Sequence, residues 1–474
     1  MLLKNGRTRS TWNLLVWVSL ALSIHQLQAL DFTFKTEGDY STESANALFV
    51  EESFAFAHME GPFSLTWELL MENSGYYPEP FLADFYGDFT VDIENAGVQY
   101  HSGAIEAYAG KLPIKDEIDS PYSLFINGSN PSVMTGGYKY ASGGFSFSNR
   151  WIGLDRNTDT GLYRTTEPGI LRDRGAVLKT YAYQMGNLRL GFQDATIFTG
   201  TYFDIDVFAN PAPSFFVQYV LSAAGRPNSR SGDQNSIMGF FGDYQGQGWS
   251  VYAQVLVDDF NANRFINPSS YQNPDKIAWS IGGRVDLPYG RLGLYTAGAT
   301  KYTFESVEEE FYSYTLHAGS AIYSGGQIVS VPLESQMLGY INGENNVAAK
   351  AIWTAPAMSA TDFEAGLECV VSGSKSPTNP WHNGEAWALL GTQLLNDPVL
   401  EIKVLLTARV SREIGDFTLF AQGAAGYVFN RLNPVYNART ISGYTMYEPV
   451  YIPNAGDSGP IAMLGIGGQW TLRL

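Results

Sequence analysis

The sequence predicts an all-β protein: one transmembrane, antiparallel, up-and-down β-barrel of 16–18 strands, with 18 favoured and long external loops. Three observations predict it. They are an export signal with no membrane-spanning helix after it, a recurring two-residue hydrophobic alternation, and a C-terminal segment that is itself such a strand.

Lys4, Arg7 and Arg9 precede the apolar stretch Leu14 to Ile24, and Leu27-Gln28-Ala29 offers a small residue at the cut. That apolar run is shorter than the roughly 20 residues a spanning helix needs. Residues 1–29 are therefore expected to be a secretory signal peptide, and residues 30–474 a single barrel domain of the bacterial outer membrane. Soluble chains of this length divide into several domains, whereas a barrel lengthens by adding strands to one closed sheet.

Composition agrees. Aromatic residues make up 14% and charged residues only 16%, against about 25% charged in soluble domains. Cys369 is the sole cysteine, which excludes an intrachain disulfide framework. The formal charge is −18, and about −21 without the three basic residues of the leader. Such a chain repels nucleic acid, which is excluded as a partner.

The alternation is clearest at the C-terminus. Leu464, Ile466, Trp470, Leu472 and Leu474 share one face, and Gly465, Gly467, Gln469, Thr471 and Arg473 the other. A barrel strand must do this, with one face meeting hydrocarbon and the other water. A terminal strand ending on a hydrophobic residue also resembles the assembly signal of outer-membrane barrels. That resemblance implies the barrel-assembly machinery as a partner, beside membrane lipid. The same dyad runs through 249–257, 279–286, 363–371 and 402–409.

Short connections at Met185-Gly186-Asn187, Leu287 to Arg291 and Glu413 to Asp416 read as periplasmic turns. Longer stretches at 259–275, 305–343, 373–398 and 430–460 read as external loops. Segment 200–236 is too long for an ordinary connection; with a helix starting at Pro213-Ser214, it is expected to fold into the lumen. One strand between 111 and 175 escapes the count, which leaves the side of 150–175 open.

Catalysis finds little support. His58, His101, His317 and His382 remain after the leader, none in an HExxH spacing, and neither a GxSxG elbow nor a phosphate loop is present. No enzyme activity, cofactor or metal is expected. Asp258-Asp259 is the one carboxylate pair that could attract Ca²⁺, but two acids fall short of the 6–8 oxygens required, and a solvated strand end fits as well.

Arg150, Arg156, Arg164, Arg172 and Arg174, with Trp151 and Tyr163, form a local basic and aromatic stretch. Guanidinium forks bind carboxylates and phosphates, and aromatic faces stack on sugar rings, so this stretch is a candidate for holding an anionic glycan. Internal pairing with Asp155, Asp159, Glu167 and Asp173 is the competing use. Lumen-facing candidates are Arg189, Arg284, Asp286, Lys350, Glu364, Glu368, Lys403, Arg409 and Arg473. Their mixed signs suit a wet interior, either a narrow channel or a plugged one.

Three patches carry a resemblance: FQDATIFTGTYFDIDVFANPAP (192–213), WSVYAQVLVDDF (249–260) and MLGYINGENN (337–346). In order and spacing they resemble the capsule-assembly, Wzi-type family of outer-membrane proteins. The resemblance implies an 18-stranded barrel that binds capsular or related surface polysaccharide and holds it on the cell. A porin-like channel for small solutes is the alternative, and would require a continuous aqueous lumen.

Overall fold

The computed structural model describes residues 30–473 except 43–46, 75–83, 87–88, 155–172, 224–233, 260–273, 306–311, 317–320, 325–326, 331–332, 334–336, 357–359, 377–390 and 442–443. The first part of the sheet comprises β1 (Leu30–Ser41), β2 (Leu48–Glu60), β3 (Phe63–Glu72), the short β4 (Asp84–Tyr86), β5 (Phe89–Ser102), β6 (Ile105–Leu112), β7 (Val133–Ser142), β8 (Phe145–Gly153), β9 (Arg174–Met185) and β10 (Leu188–Thr199). Two helices follow, α1 (Ile205–Ala209) and α2 (Ser214–Ala223). Next come β11 (Gln234–Gly246), β12 (Trp249–Asp259), β13 (Lys276–Leu287), β14 (Gly290–Ala299), β15 (Ala321–Ser324), β16 (Gln327–Ser330), β17 (Asn346–Thr354) and β18 (Thr361–Ser372). The chain ends with β19 (Glu401–Ile414), β20 (Phe417–Phe429), β21 (Leu432–Ile441), β22 (Tyr444–Pro453) and β23 (Gly459–Arg473).

Eighteen of these strands form a closed antiparallel barrel. The hairpins β15–β16 and β21–β22 and the short β4 belong to connections. Closure is made by β1 and β23, in register from Asp31 opposite Arg473 to Ser41 opposite Met463. Outward aromatic rings cross that seam and continue to β20: Phe34 stacks on Trp470 with centroids 5.7 Å apart, and Trp470 on Phe417 at 6.1 Å.

Period-2 patterning decides which face meets lipid. On β19, Leu406 and Val410 are exposed on the outer face, while Lys403, Thr407 and Arg409 point inward with Gln422 of β20. Large apolar side chains left in contact with the surroundings are lipid contacts in a spanning barrel.

One rim carries tight turns at 61–62, 103–104, 143–144, 186–187, 247–248, 288–289 and 415–416. Gly186 and Gly415 take left-handed φ of 59° and 63°, which residues with a Cβ adopt only at a cost. The long connections all leave the opposite rim. That asymmetry makes the tight rim periplasmic. Both β7 and β8 lie between residues 111 and 175, so the chain leaves β8 and enters β9 at the external rim.

The expectation for 200–236 needs correction. On β10, Gln193 reaches the lumen, bonding Asp116 and Gln254, so its neighbour Asp194 points outward. Asp194 accepts from the Ser214 amide, which lays the described part of the segment on the outer wall. Among the described residues, the lumen is filled instead by 113–132 and by 300–305 and 312–316 with 337–345.

Candidate functional site: a plugged lumen

Connection 113–132 folds inward because its polar atoms meet matching groups on the wall. The Asp116 carboxylate accepts from Gln193 Nε2 at 2.7 Å, Gln254 Nε2 at 3.0 Å and the Phe125 amide at 3.0 Å. Burial raises its pKa, and those bonds offset only part of the rise. Arg189 donates to the Glu117 carboxylate at 3.1 Å, to the Glu117 carbonyl at 2.7 Å and to Asp243 at 2.7 Å. Arg284 donates to the Asp119 carboxylate at 2.8 Å, to its carbonyl at 3.0 Å and to Tyr295 Oη at 2.7 Å. Tyr122 Oη donates to Glu368 at 2.6 Å.

Behind these anchors lies an apolar plug. Ile118, Tyr122, Leu124, Phe125 and Ile126 are buried with Phe304, Tyr314, Leu338 and Tyr340 against small wall residues such as Ala195, Ala278 and Ala297. Gly239 belongs to this fit, since a Cβ there would come 2.9 Å from the Phe125 ring. The second inward segment is tied to the first: Tyr314 Oη donates to the Phe125 carbonyl at 2.8 Å, and the Asn127 amide to the Leu338 carbonyl at 2.8 Å. Glu305 and Glu344 are buried in it and hydrogen-bonded to each other. Burial and the facing carboxyl hold Glu305 well above the usual range, and burial also raises Glu344.

The opposite arc of the wall, from β18 through β23 to β2, is wetter. Arg409 bonds Gln422 at 3.4 Å, Gln422 donates to Glu37 at 2.6 Å, and Lys35 bridges Glu37 and Glu51, each at 2.9 Å. Arg409 and Glu364 are exposed. A cavity of about 430 Å³ borders Asp39, Glu364, Thr407, Arg409 and Gln422. A smaller one, about 170 Å³, lies at the periplasmic side of the plug between Glu117, Asp119, Arg189, Asp243 and Arg284.

The described members of the basic and aromatic stretch, Arg150, Trp151 and Arg174, do not share one surface. Arg150 points inward, its Nε donating to Tyr108 Oη at 2.6 Å and its Nη1 to the Lys115 carbonyl at 2.7 Å. Arg174 is fully buried and donates to the carbonyls of Ser313 and Thr315 at 2.7 and 3.2 Å. Trp151 points outward, its Nε1 donating to the Tyr202 carbonyl at 2.8 Å. Arg156, Tyr163, Arg164 and Arg172 lie outside the described residues.

Of the lumen set, Arg189, Arg284 and Glu368 hold the plug. Lys350 pairs with Glu368 at 3.5 Å, and Asp286 with Arg291 at 2.6 Å on the exposed periplasmic rim. Glu364, Arg409, Lys403 and Arg473 take inward positions on β18, β19 and β23, where Glu364 faces Arg409 and Arg473 faces Asp31. Asp258 is a buried ion-pair partner of Lys276 at 3.2 Å and accepts from Asn235 at 2.9 Å. It is thus neutralised by an ammonium rather than open to a cation. Among the described residues, no group of three or more His, Cys, Asp or Glu could hold a metal ion.

Sequence reasoning missed Asp116, Glu117, Asp119 and Tyr122. Their signal was faint: three acids and Lys115 between Pro113 and Pro121, in a connection with no other charged residue.

A closed 18-stranded wall with apolar side chains outside, charges inside and long loops at one rim defines an outer-membrane β-barrel of bacteria. Its fold is similar to that of Wzi of Escherichia coli, described as an outer-membrane protein involved in group 1 capsule assembly and a carbohydrate-binding β-barrel. That likeness has a TM-score of 0.52 and 12% identity, covering 98% of this chain and 89% of that one. Pseudomonas aeruginosa OccK2, solved with glucuronate, gives 0.49 and 8% over 94% and 98%. Acinetobacter baumannii OccAB2 gives 0.45 and 10% over 94% and 98%. No family model matches the chain, and no curated protein matches its sequence.

Proposed function

We propose that this barrel is a non-catalytic protein that binds or anchors capsular or related surface polysaccharide at the cell surface. The observation that carries the reading is the plug: a lumen packed with Tyr122, Phe125, Tyr314 and Tyr340 suits a binder better than a conduit. The likeness in fold to Wzi, itself described as carbohydrate-binding, supports it. The external connections would make many weak contacts with a repeating polymer, and effective concentration would sum them. Arg156, Tyr163, Arg164 and Arg172 are the residues we assign to such contacts in the connection after β8. Arg150 and Arg174 are occupied with plug and wall.

The test is polymer binding by the mature barrel in detergent, using surface polysaccharide purified from the same strain. Saturable binding that falls when Arg156, Arg164 and Arg172 become Ala supports the reading, and no binding by the unmodified barrel rejects it.

A porin-like channel is the second reading. The exposed, charged arc around Arg409, Glu364 and Asp39 favours it, because a water-filled passage beside the plug would be lined by such groups.

A further inference from the structure

We propose that residues 200–223 form a strap embedded in the outer leaflet of the membrane, its backbone sealed against the barrel wall and its outward side chains in contact with lipid acyl chains.

The starting observation is polarity in the wrong place. On the outward face of β8, β9 and β10, where hydrocarbon should lie, stand Asn149, Lys179, Tyr181 and Asp194, with Lys179 directly opposite Asp194. Each bonds the backbone of the strap. Trp151 Nε1 donates to the Tyr202 carbonyl, Asn149 to Phe208, Tyr181 Oη to Pro211 at 2.6 Å and Lys179 Nζ to Ala212 at 2.8 Å. Asp194 accepts from the Ser214 amide, at the N-terminus of α2, where a carboxylate is favoured by the helix dipole.

Backbone groups in lipid must be satisfied by the protein itself, and the helices and the reversal of the strap go far to meet that demand. Residues 205–209 and 214–223 are helical. In the reversal between them, Pro211 and Pro213 have no N–H to satisfy, Ala212 donates to Asn210 Oδ1 at 3.0 Å, and Ser214 donates to Asp194. An external loop in water would need none of this.

Depth points the same way. Tyr181 stands five residues above the tight turn at 186–187. At about 3.3 Å per residue and a tilt near 40°, that is roughly 13 Å, within an apolar band about 25 Å tall. Directly below the strap, Tyr183, Leu190 and Phe240 are exposed as on any lipid-facing wall. The strap continues that surface: Val207 and Val217 are buried against the barrel, while Phe216 and Val220 face away at 61% and 66% exposure. No charged residue occurs in α2. Asp204 and Asp206 sit at the other end, near Trp151 and the external rim.

The test places a nitroxide at Val220→Cys or Phe216→Cys in a Cys369→Ala background, with the whole barrel in phosphatidylcholine vesicles. Leu406→Cys serves as the lipid-facing reference and Tyr289→Cys as the aqueous one. We expect the ratio of oxygen to nickel-chelate collisions at 216 and 220 to match that at 406 and exceed that at 289 several-fold. A ratio matching 289 would overturn the proposal. Spin–spin broadening that disappears on dilution with unlabelled barrel would overturn it too, by showing a second copy in place of lipid. Lys179→Met with Asp194→Leu, at unchanged barrel folding, should raise nickel access at 220; unchanged access would remove the sealing role of the pair.

Discussion

Removing the arginines that pin the plug should open the barrel in a fixed order. Arg189 makes three bonds, two of them to Glu117, and its side chain and that of Glu117 are only 25% and 19% exposed. Charge-assisted bonds in such a setting are worth about 1.5–3 kcal/mol each when buried. Discounted for partial exposure, Arg189→Ala should loosen the plug by about 2–3 kcal/mol. Arg284 also reaches the plug twice, but the Asp119 side chain is 90% exposed, and solvent-exposed pairs contribute about 0–1 kcal/mol. With 1.4 kcal/mol per factor of ten, the open fraction should rise roughly 30- to 140-fold for Arg189→Ala and at most about fivefold for Arg284→Ala. Neither change should expel the plug, because five buried apolar side chains hold it, each worth about 1.5–3 kcal/mol. Single-channel recording in planar bilayers reads this as brief openings whose frequency follows that order. Equal effects, or a larger effect of Arg284→Ala, would refute the assignment of Arg189 as the main anchor.

Three further outcomes follow from the same geometry. Val410→Arg places a charge on the lipid face near mid-membrane and should cost about 2–4 kcal/mol in urea unfolding from vesicles, while Ser411→Arg, one residue on and inward, should cost far less. Lys276→Met should destabilise by about 3–5 kcal/mol in the same assay, because it takes the neutralising ammonium from Asp258 where both side chains are only 2% exposed. The carboxyl pair Glu305 and Glu344 should make plug docking pH-dependent. Both carboxyls are raised above their unfolded values, so their contribution is complete in acid and is lost as pH rises through the folded values. Openings should therefore grow more frequent with rising pH, and Glu344→Gln should flatten that profile.

The wall was legible because a strand's two-residue period is local: Leu406 and Arg409 reveal their faces within one segment. The lumen was not, because docking 113–132 depends on side chains more than sixty residues away, such as Gln193, Gln254 and Arg284. Within the basic stretch, two neighbours along a strand could not share a surface. Arg150 and Trp151 are consecutive on β8 and must point to opposite faces. A better signal lay in segment 200–236. SFFVQYVLSA is an uncharged helix preceded by NPAP, and the strand before it carries Asp194 among outward apolar residues, which suits a wall contact in lipid better than a plug in water.

The most direct test of the account as a whole is conductance of the unmodified mature barrel in a planar bilayer, before and after surface polysaccharide from the same strain is added. The account predicts a membrane that stays silent apart from brief, rare openings, with a barrel that nonetheless retains the polymer. Stable open steps before any polymer is added, and no retention afterwards, would contradict it and make the porin-like passage along the Arg409 wall the primary function.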